Sequence, residues 1–188
     1  MSGEDKILKH LRKKLPEHVV EHSLRVAVIA ENLAQKEGAD EEICYVAGLL
    51  HDLGYEKDFK NHALKGAELA REFLQKNNIA QEIQEEVIIA IRTHQLDPEP
   101  STLEGWIISD ADIIERIGPL GIHRSYINAL YWSKLEPEEL LDYFDAVLES
   151  TNDLYTATAK RFARKDIAYL KDFINRVEDD ATTGEDEA

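Results

Sequence analysis

His51 and Asp52 stand side by side at the end of the apolar run Val46-Ala47-Gly48-Leu49-Leu50. A carboxylate beside core residues is costly unless its charge is compensated. A divalent cation does this by taking one imidazole nitrogen and one carboxylate oxygen together. Similar residues recur beside other apolar positions. His22 shares a helical face with Val19 and Val26, His62 precedes Ala63-Leu64, and His94 follows one turn after Ala90 and Ile91. Asp110-Ala111-Asp112 falls between Ile107-Ile108 and Ile113-Ile114, where either carboxylate has the spacing to face inward and needs a cation or a set of donors. His22, His51, Asp52, His62, His94 and Asp112 are all nitrogen or oxygen ligands, enough for one octahedral ion or two bridged ones. Such a shell suits manganese, iron, magnesium, nickel or cobalt better than a tetrahedral structural zinc.

The elements that must position these residues read as helices throughout. Ile7, Leu8, Leu11 and Leu15 give a first amphipathic helix, interrupted by Pro16. A second runs from Glu17 to about Glu37 and stops at Gly38. Asp40 caps a third that reaches Leu50, which sets His51-Asp52 on or just past its last turn. Asn61 is a candidate cap for a helix from Ala63 to about Lys76. Gln81 to Thr93 follows, and Val87-Ile88-Ile89-Ala90-Ile91 predicts a helix buried all round. Asp97-Pro98-Glu99-Pro100 is a loop. Thr102 then opens a helix that ends at Gly118-Pro119, and a segment with Ile122, Tyr126, Leu130 and Trp132 comes next. The last pattern spans Glu136 to about Val177, bent near Ser150-Thr151-Asn152. The expectation is one all-α domain over 1–177, with 178–188 as an acidic disordered tail.

Composition narrows the function. The formal net charge of −16 argues against broad nucleic-acid binding, which requires basic surface. It leaves room for a small anionic substrate, because a bound metal and a few local cations reverse the field within a cleft. The apolar runs are too short to cross a bilayer, and the basic N-terminus precedes no signal-like apolar core. Cys44 is the only cysteine, so an intramolecular disulfide and a thiolate zinc cluster are both excluded. A cytoplasmic location is expected.

The order His22, His51-Asp52, Asp112 resembles the HD-domain superfamily of metal-dependent phosphohydrolases. His22-Ser23-Leu24-Arg25-Val26-Ala27 is similar to that family's first motif, and Ala47-Gly48-Leu49-Leu50-His51-Asp52-Leu53-Gly54 to its second. His62-Ala63-Leu64-Lys65-Gly66-Ala67-Glu68 resembles the extra-histidine segment of the subgroup whose second motif reads HD-isoleucine-glycine, with leucine in the isoleucine position here. Asp110-Ala111-Asp112-Ile113-Ile114-Glu115-Arg116-Ile117-Gly118 resembles the last motif of small HD hydrolases acting on nucleotides. The match covers roughly residues 15 to 125. It lacks the paired glutamate-aspartate signature of enzymes acting on guanosine tetraphosphate and the glycine-tyrosine-proline signature of cyclic-di-GMP phosphodiesterases. Ile113 stands where several relatives carry a basic residue.

The resemblance implies an HD-type helical bundle that hydrolyses a phosphate ester or anhydride of a small molecule, foremost a nucleotide. It implies His22, His51, Asp52 and Asp112 as ligands of a first ion, with Asp112 preferred over Asp110. Asp52 bridges to a second ion held by His62 and His94. Arg25 and Arg116, each one turn beyond a ligand, are candidate phosphate contacts, with Lys57, Lys65, Arg92 and Arg124 as further basic candidates. Glu56 and Asp58 are candidate general acids or bases. Tyr126, Tyr131, Trp132 and Tyr155 are candidates to stack a base or to pack the core. Two other functions fit the same ligands: a di-iron HD oxygenase, and a non-catalytic HD ligand-binding module. The oligomeric state does not follow from the sequence.

Overall fold

The computed structural model describes residues 3–55, 62–94, 99–129 and 137–183. In chain order the helices are α1 (Gly3–Leu11), α2 (Glu17–Glu37), α3 (Glu41–Leu50), α4 (His62–Lys76), α5 (Gln81–Thr93), α6 (Leu103–Ile117), α7 (Pro119–Asn128), α8 (Pro137–Glu149) and α9 (Ala157–Thr183). A 3-10 turn, Ser150–Asp153, separates α8 from α9. No strand occurs among the described residues, and the fold is all-α.

Helix ends fall where the cap residues put them. Gly38 closes α2 in the left-handed region (φ 77°), its amide returning to the Ala34 carbonyl. Asp40 accepts from the Ile43 amide at the start of α3, and Thr102 accepts from the Gly105 amide at the start of α6.

The core is organised on α2, which packs most extensively against α3 and α6. Val19, Val20, Val26, Ala27, Ala30 and Leu33 form its buried stripe. At Gly48 of α3 a β-carbon would stand 2.6 Å from the Ala27 Cα, so the two backbones meet with no side chain between them. Leu49, Leu50, Ile91, Ile107, Ile108 and Ile117 complete the interior, and α9 closes over α6 with Leu170 and Ile174.

Two expectations change. Helix α5 is not buried all round: Ile89 is 39% exposed, and the buried face runs through Gln84, Val87, Ile88 and Ile91. One apolar residue on a polar face widened the apparent stripe. The last helix continues past Val177 to Thr183, into the stretch expected to be a disordered tail. Residues 184–188 lie outside the described residues.

Candidate metal centre

Five helices deliver the polar residues to one point. His22 projects from the middle of α2, His51 is the C-cap of α3, and Asp52 lies in the turn that follows. His62 begins α4, His94 is the C-cap of α5, and Asp112 lies on α6. Glycines permit the approach of α4. A β-carbon at Gly66 would be 2.7 Å from the His51 carbonyl oxygen, and one at Gly54 would overlap the His62 carbonyl.

Asp52 sits between two groups of candidate ligands. Its Oδ2 is 3.5 Å from Nε2 of His22 and 3.5 Å from Nε2 of His51, while Oδ1 is 3.3 Å from Nε2 of His62. His22 Nε2 lies 3.2 Å from Asp112 Oδ1, and the Nε2 atoms of His62 and His94 are 3.3 Å apart. The donor atoms of His22, His51 and Asp112 lie within 4.8 Å of one another, as do those of His51, Asp52 and His94. Adjacent ligands on an octahedral ion with bonds of about 2.1 Å stand about 3 Å apart, so these separations suit a common ion.

The outer nitrogen is occupied at three histidines. Nδ1 of His51 donates to the Gly48 carbonyl (2.8 Å) and Nδ1 of His94 to the Ile91 carbonyl (2.6 Å). Nδ1 of His22 donates to Glu115 Oε2 (2.7 Å). Each Nε2 is thereby directed at the centre. His51 Nε2 is fully buried without a hydrogen-bond partner among the described residues, an uncompensated acceptor that a cation satisfies. This donor set fits a divalent ion.

The protonation states agree with that chemistry. Burial, followed by the field of His51, lowers His94 to about 4, so its imidazole is neutral and able to bind a metal at neutral pH. Burial and Arg124 act against charge on His22, but Glu115 and Asp112 prevail and raise it to about 9. Burial opposes ionisation of Asp52 and Asp112 as well. His51, His22 and His62 nevertheless lower Asp52, and Arg116 foremost lowers Asp112 well below the usual range.

The two aspartates of α6 separate. Asp112 joins the centre, whereas Asp110 accepts the amides of Tyr155 (2.7 Å) and Thr156 (2.9 Å) at the start of α9. Glu115 was missed by the sequence reading as a site residue. It is 4% exposed, and besides His22 it accepts from Arg25 Nε (2.9 Å) and Arg124 Nη2 (2.9 Å). Its signal was its place three residues after Asp112, on the same helical face, with Arg25 three residues after His22.

The basic candidates divide likewise. Arg116 Nη2 contacts Asp112 Oδ2 at 3.2 Å, at the edge of the centre. Arg25 and Arg124 both pair with Glu115. Lys65 pairs with Glu68 (2.7 Å) at an exposed position of α4. Tyr126 packs on Phe144 and Phe173, and Tyr155 stacks on Trp106 with ring centroids 5.7 Å apart. Glu56, Lys57, Asp58, Asn61, Tyr131 and Trp132 lie outside the described residues.

Comparison with known proteins agrees with this geometry. The HD domain family model matches residues 19–117, a stretch that carries all six candidate ligands. Ribonuclease Y of Chloroflexus aurantiacus is 35% identical over 131 residues, covering 68% of this chain but 24% of that protein. The chain thus spans about a quarter of the length of the curated relatives it matches. A predicted HD superfamily hydrolase from an uncultured Thermotogales bacterium has a crystal structure with TM-score 0.68 and 27% identity, over 94% of this chain and 91% of that one. Bacillus subtilis YpgQ in complex with ADP has TM-score 0.74 and 27% identity, over 94% and 93%. The chain belongs to the HD domain family, and its centre gathers histidine and aspartate groups that could hold a metal ion. No helix among the described residues is long and apolar enough to cross a membrane.

Proposed function

We propose that the protein hydrolyses a phosphate ester or anhydride of a small nucleotide, with two divalent ions held by His22, His51, Asp52, His62, His94 and Asp112. The observation that carries this reading is the placement of Asp52. One carboxylate oxygen faces His22 and His51 while the other faces His62, the geometry of a bridging ligand. Bound divalent ions supply the Lewis acidity that activates water and balances charge on a phosphoryl group. The protein's own share is positioning and electrostatics, which is most of what phosphoryl transfer requires. Arg116 is part-buried beside Asp112 and serves as a guanidinium for a substrate phosphate. Arg25 and Arg124 extend positive potential to the same side of the centre, and Lys65 reaches the substrate only by leaving Glu68. Glu56 is the candidate general acid or base.

The choice of a nucleotide is supported by the ADP complex of YpgQ, which aligns with nearly the whole chain. The likeness to Ribonuclease Y makes an RNA phosphodiester the competing substrate. A net charge of −16 stands against it, since RNA backbones are held by basic surface. The test is a hydrolysis screen of the full chain supplied with manganese, magnesium, iron, nickel or cobalt. Nucleoside mono-, di- and triphosphates, dinucleoside polyphosphates, cyclic nucleotides and a short single-stranded RNA form the panel. Release of phosphate or pyrophosphate from a free nucleotide is expected. Turnover of RNA alone replaces the substrate, and metal-dependent oxygen consumption with phosphates untouched replaces the reaction by that of a di-iron oxygenase.

A further inference from the structure

Three histidines of the centre, His22, His51 and His94, are oriented through Nδ1 by two different devices, and helix geometry explains the difference. His51 and His94 are helix C-caps, where the last carbonyls lack the usual amide partner four residues on. Each ring uses one of these, three residues back: Gly48 for His51 and Ile91 for His94. His22 has no such carbonyl to hand, because it lies inside the 21-residue helix α2, whose carbonyls serve the helix itself. An acceptor for its Nδ1 must come from another element, and α6 provides the Glu115 carboxylate at 2.7 Å.

That carboxylate is itself tightly held. Oε1 accepts from Arg25 on α2, and Oε2 accepts from both His22 and Arg124 on α7. Both oxygens accept hydrogen bonds from guanidinium groups, which carry donors only, so the carboxylate meets His22 as an acceptor. His22 Nδ1 must therefore carry the proton, which leaves Nε2 as its ligating nitrogen. A flipped ring would lose the bond to Glu115 and leave a buried charge short of a donor.

We infer that Glu115 is the positioning residue of the metal centre: it fixes the tautomer and orientation of His22, and Arg25 and Arg124 hold it in place to do so. This rests on the reading of His22 as a metal ligand. It also gives Arg25 and Arg124 a role before any phosphate arrives. Carboxylate partners of ligating histidines commonly change metal affinity about 10- to 100-fold when removed, and a loss in that range is expected for Glu115→Gln, which keeps the shape and loses the charge.

The experiment measures manganese binding to the full-length wild type and to Glu115→Gln by calorimetry, with thermal unfolding of both as a check on folding. Nitrogen-15 spectra of the zinc-loaded wild type report which nitrogen of His22 carries the proton. Weaker binding by a folded variant, together with a protonated Nδ1 and a ligated Nε2, is the expected result. If Glu115→Gln does not fold, the wild-type spectrum alone decides. Wild-type binding with unchanged affinity in a folded Glu115→Gln, or a His22 ligated through Nδ1, overturns the positioning role and leaves the metal centre standing. A wild type that binds no divalent ion overturns both.

Discussion

Helix α6 buries carboxylates on two faces that do opposite kinds of work. On one face Asp110, with no exposed surface, accepts two backbone amides at the start of α9 and joins the C-terminal helices to the core. On the other, Asp112 and Glu115 face α2 and meet His22 and three arginines. On the first face the carboxylate's hydrogen-bond partners are two peptide amides and the Thr156 side chain, and Lys160 is the cation acting on it. The second face gathers charged side chains of both signs, and its balance changes when a cation arrives. Burial alone does not mark a functional carboxylate; the kind of partner does.

The comparison predicts opposite losses, and the largest separates the two faces completely. Asp112→Ala should strip metal from the first position and reduce hydrolysis to background, as should Asp52→Ala, which removes the bridge. Asp110→Ala should keep its full metal complement. Elemental analysis of the purified variants reads this directly, and an Asp52→Ala protein with undiminished metal would remove the bridging assignment. His62→Ala is a finer cut within the same centre. Metal stoichiometry should fall from two to one, and an unchanged value leaves the centre mononuclear.

Next in size is stability. Asp110→Ala leaves two amides at the start of α9 without their acceptor, which costs about 1–3 kcal/mol for each buried group left unpaired. Urea unfolding should show that loss with manganese affinity intact. Arg116→Ala should do the reverse at the other face: little change in metal content, and a higher KM for the substrate through loss of a charge-assisted hydrogen bond worth about 1.5–3 kcal/mol. A KM that does not move assigns Arg116 to Asp112 alone.

Much of this was legible in the sequence, and the exceptions have a common cause. Gly38, Asp40 and Thr102 act on their own neighbours, so α2, α3 and α6 begin or end where local chemistry places them. The six candidate ligands stood out because each is polar beside core residues, and their order resembled one family. The choice between Asp110 and Asp112 was settled in sequence only by that resemblance. Spacing along α6 cannot tell that α9 covers one face and α2 the other. Local spacing gives Glu115 no partner outside its own helix. Its actual partners, Arg25 and Arg124, lie 90 and 9 residues away on other helices. Conversely Ile89 looked like core because local pattern cannot see which side of α5 meets solvent.

The smallest expected effect is also the one that sets the sign of each face. Burial raises Asp110 above its ordinary value of 3.8, outweighing the hydrogen bonds from Tyr155 and Thr156. An acid with a raised folded pKa binds its proton more readily in the native state. Its contribution is thus most favourable at low pH and declines as pH rises through the folded value. Burial acts the same way on Glu115, but His22 and Arg124 prevail and lower it below its ordinary value of 4.5. Its contribution is full above that value and is lost as pH falls towards the folded one. In metal-free protein, the stability gap between wild type and Asp110→Asn should therefore move in the wild type's favour on acidification. The gap between wild type and Glu115→Gln should first open on acidification from neutral pH, because His22 charges in both proteins and only the wild type supplies its partner carboxylate. It should shrink below 4.5, where Glu115 itself takes up its proton. Urea midpoints below about pH 4.5 measure both movements. Two gaps that move in the same direction there would show that the partners around α6, whatever their kind, do not divide its carboxylates into two classes.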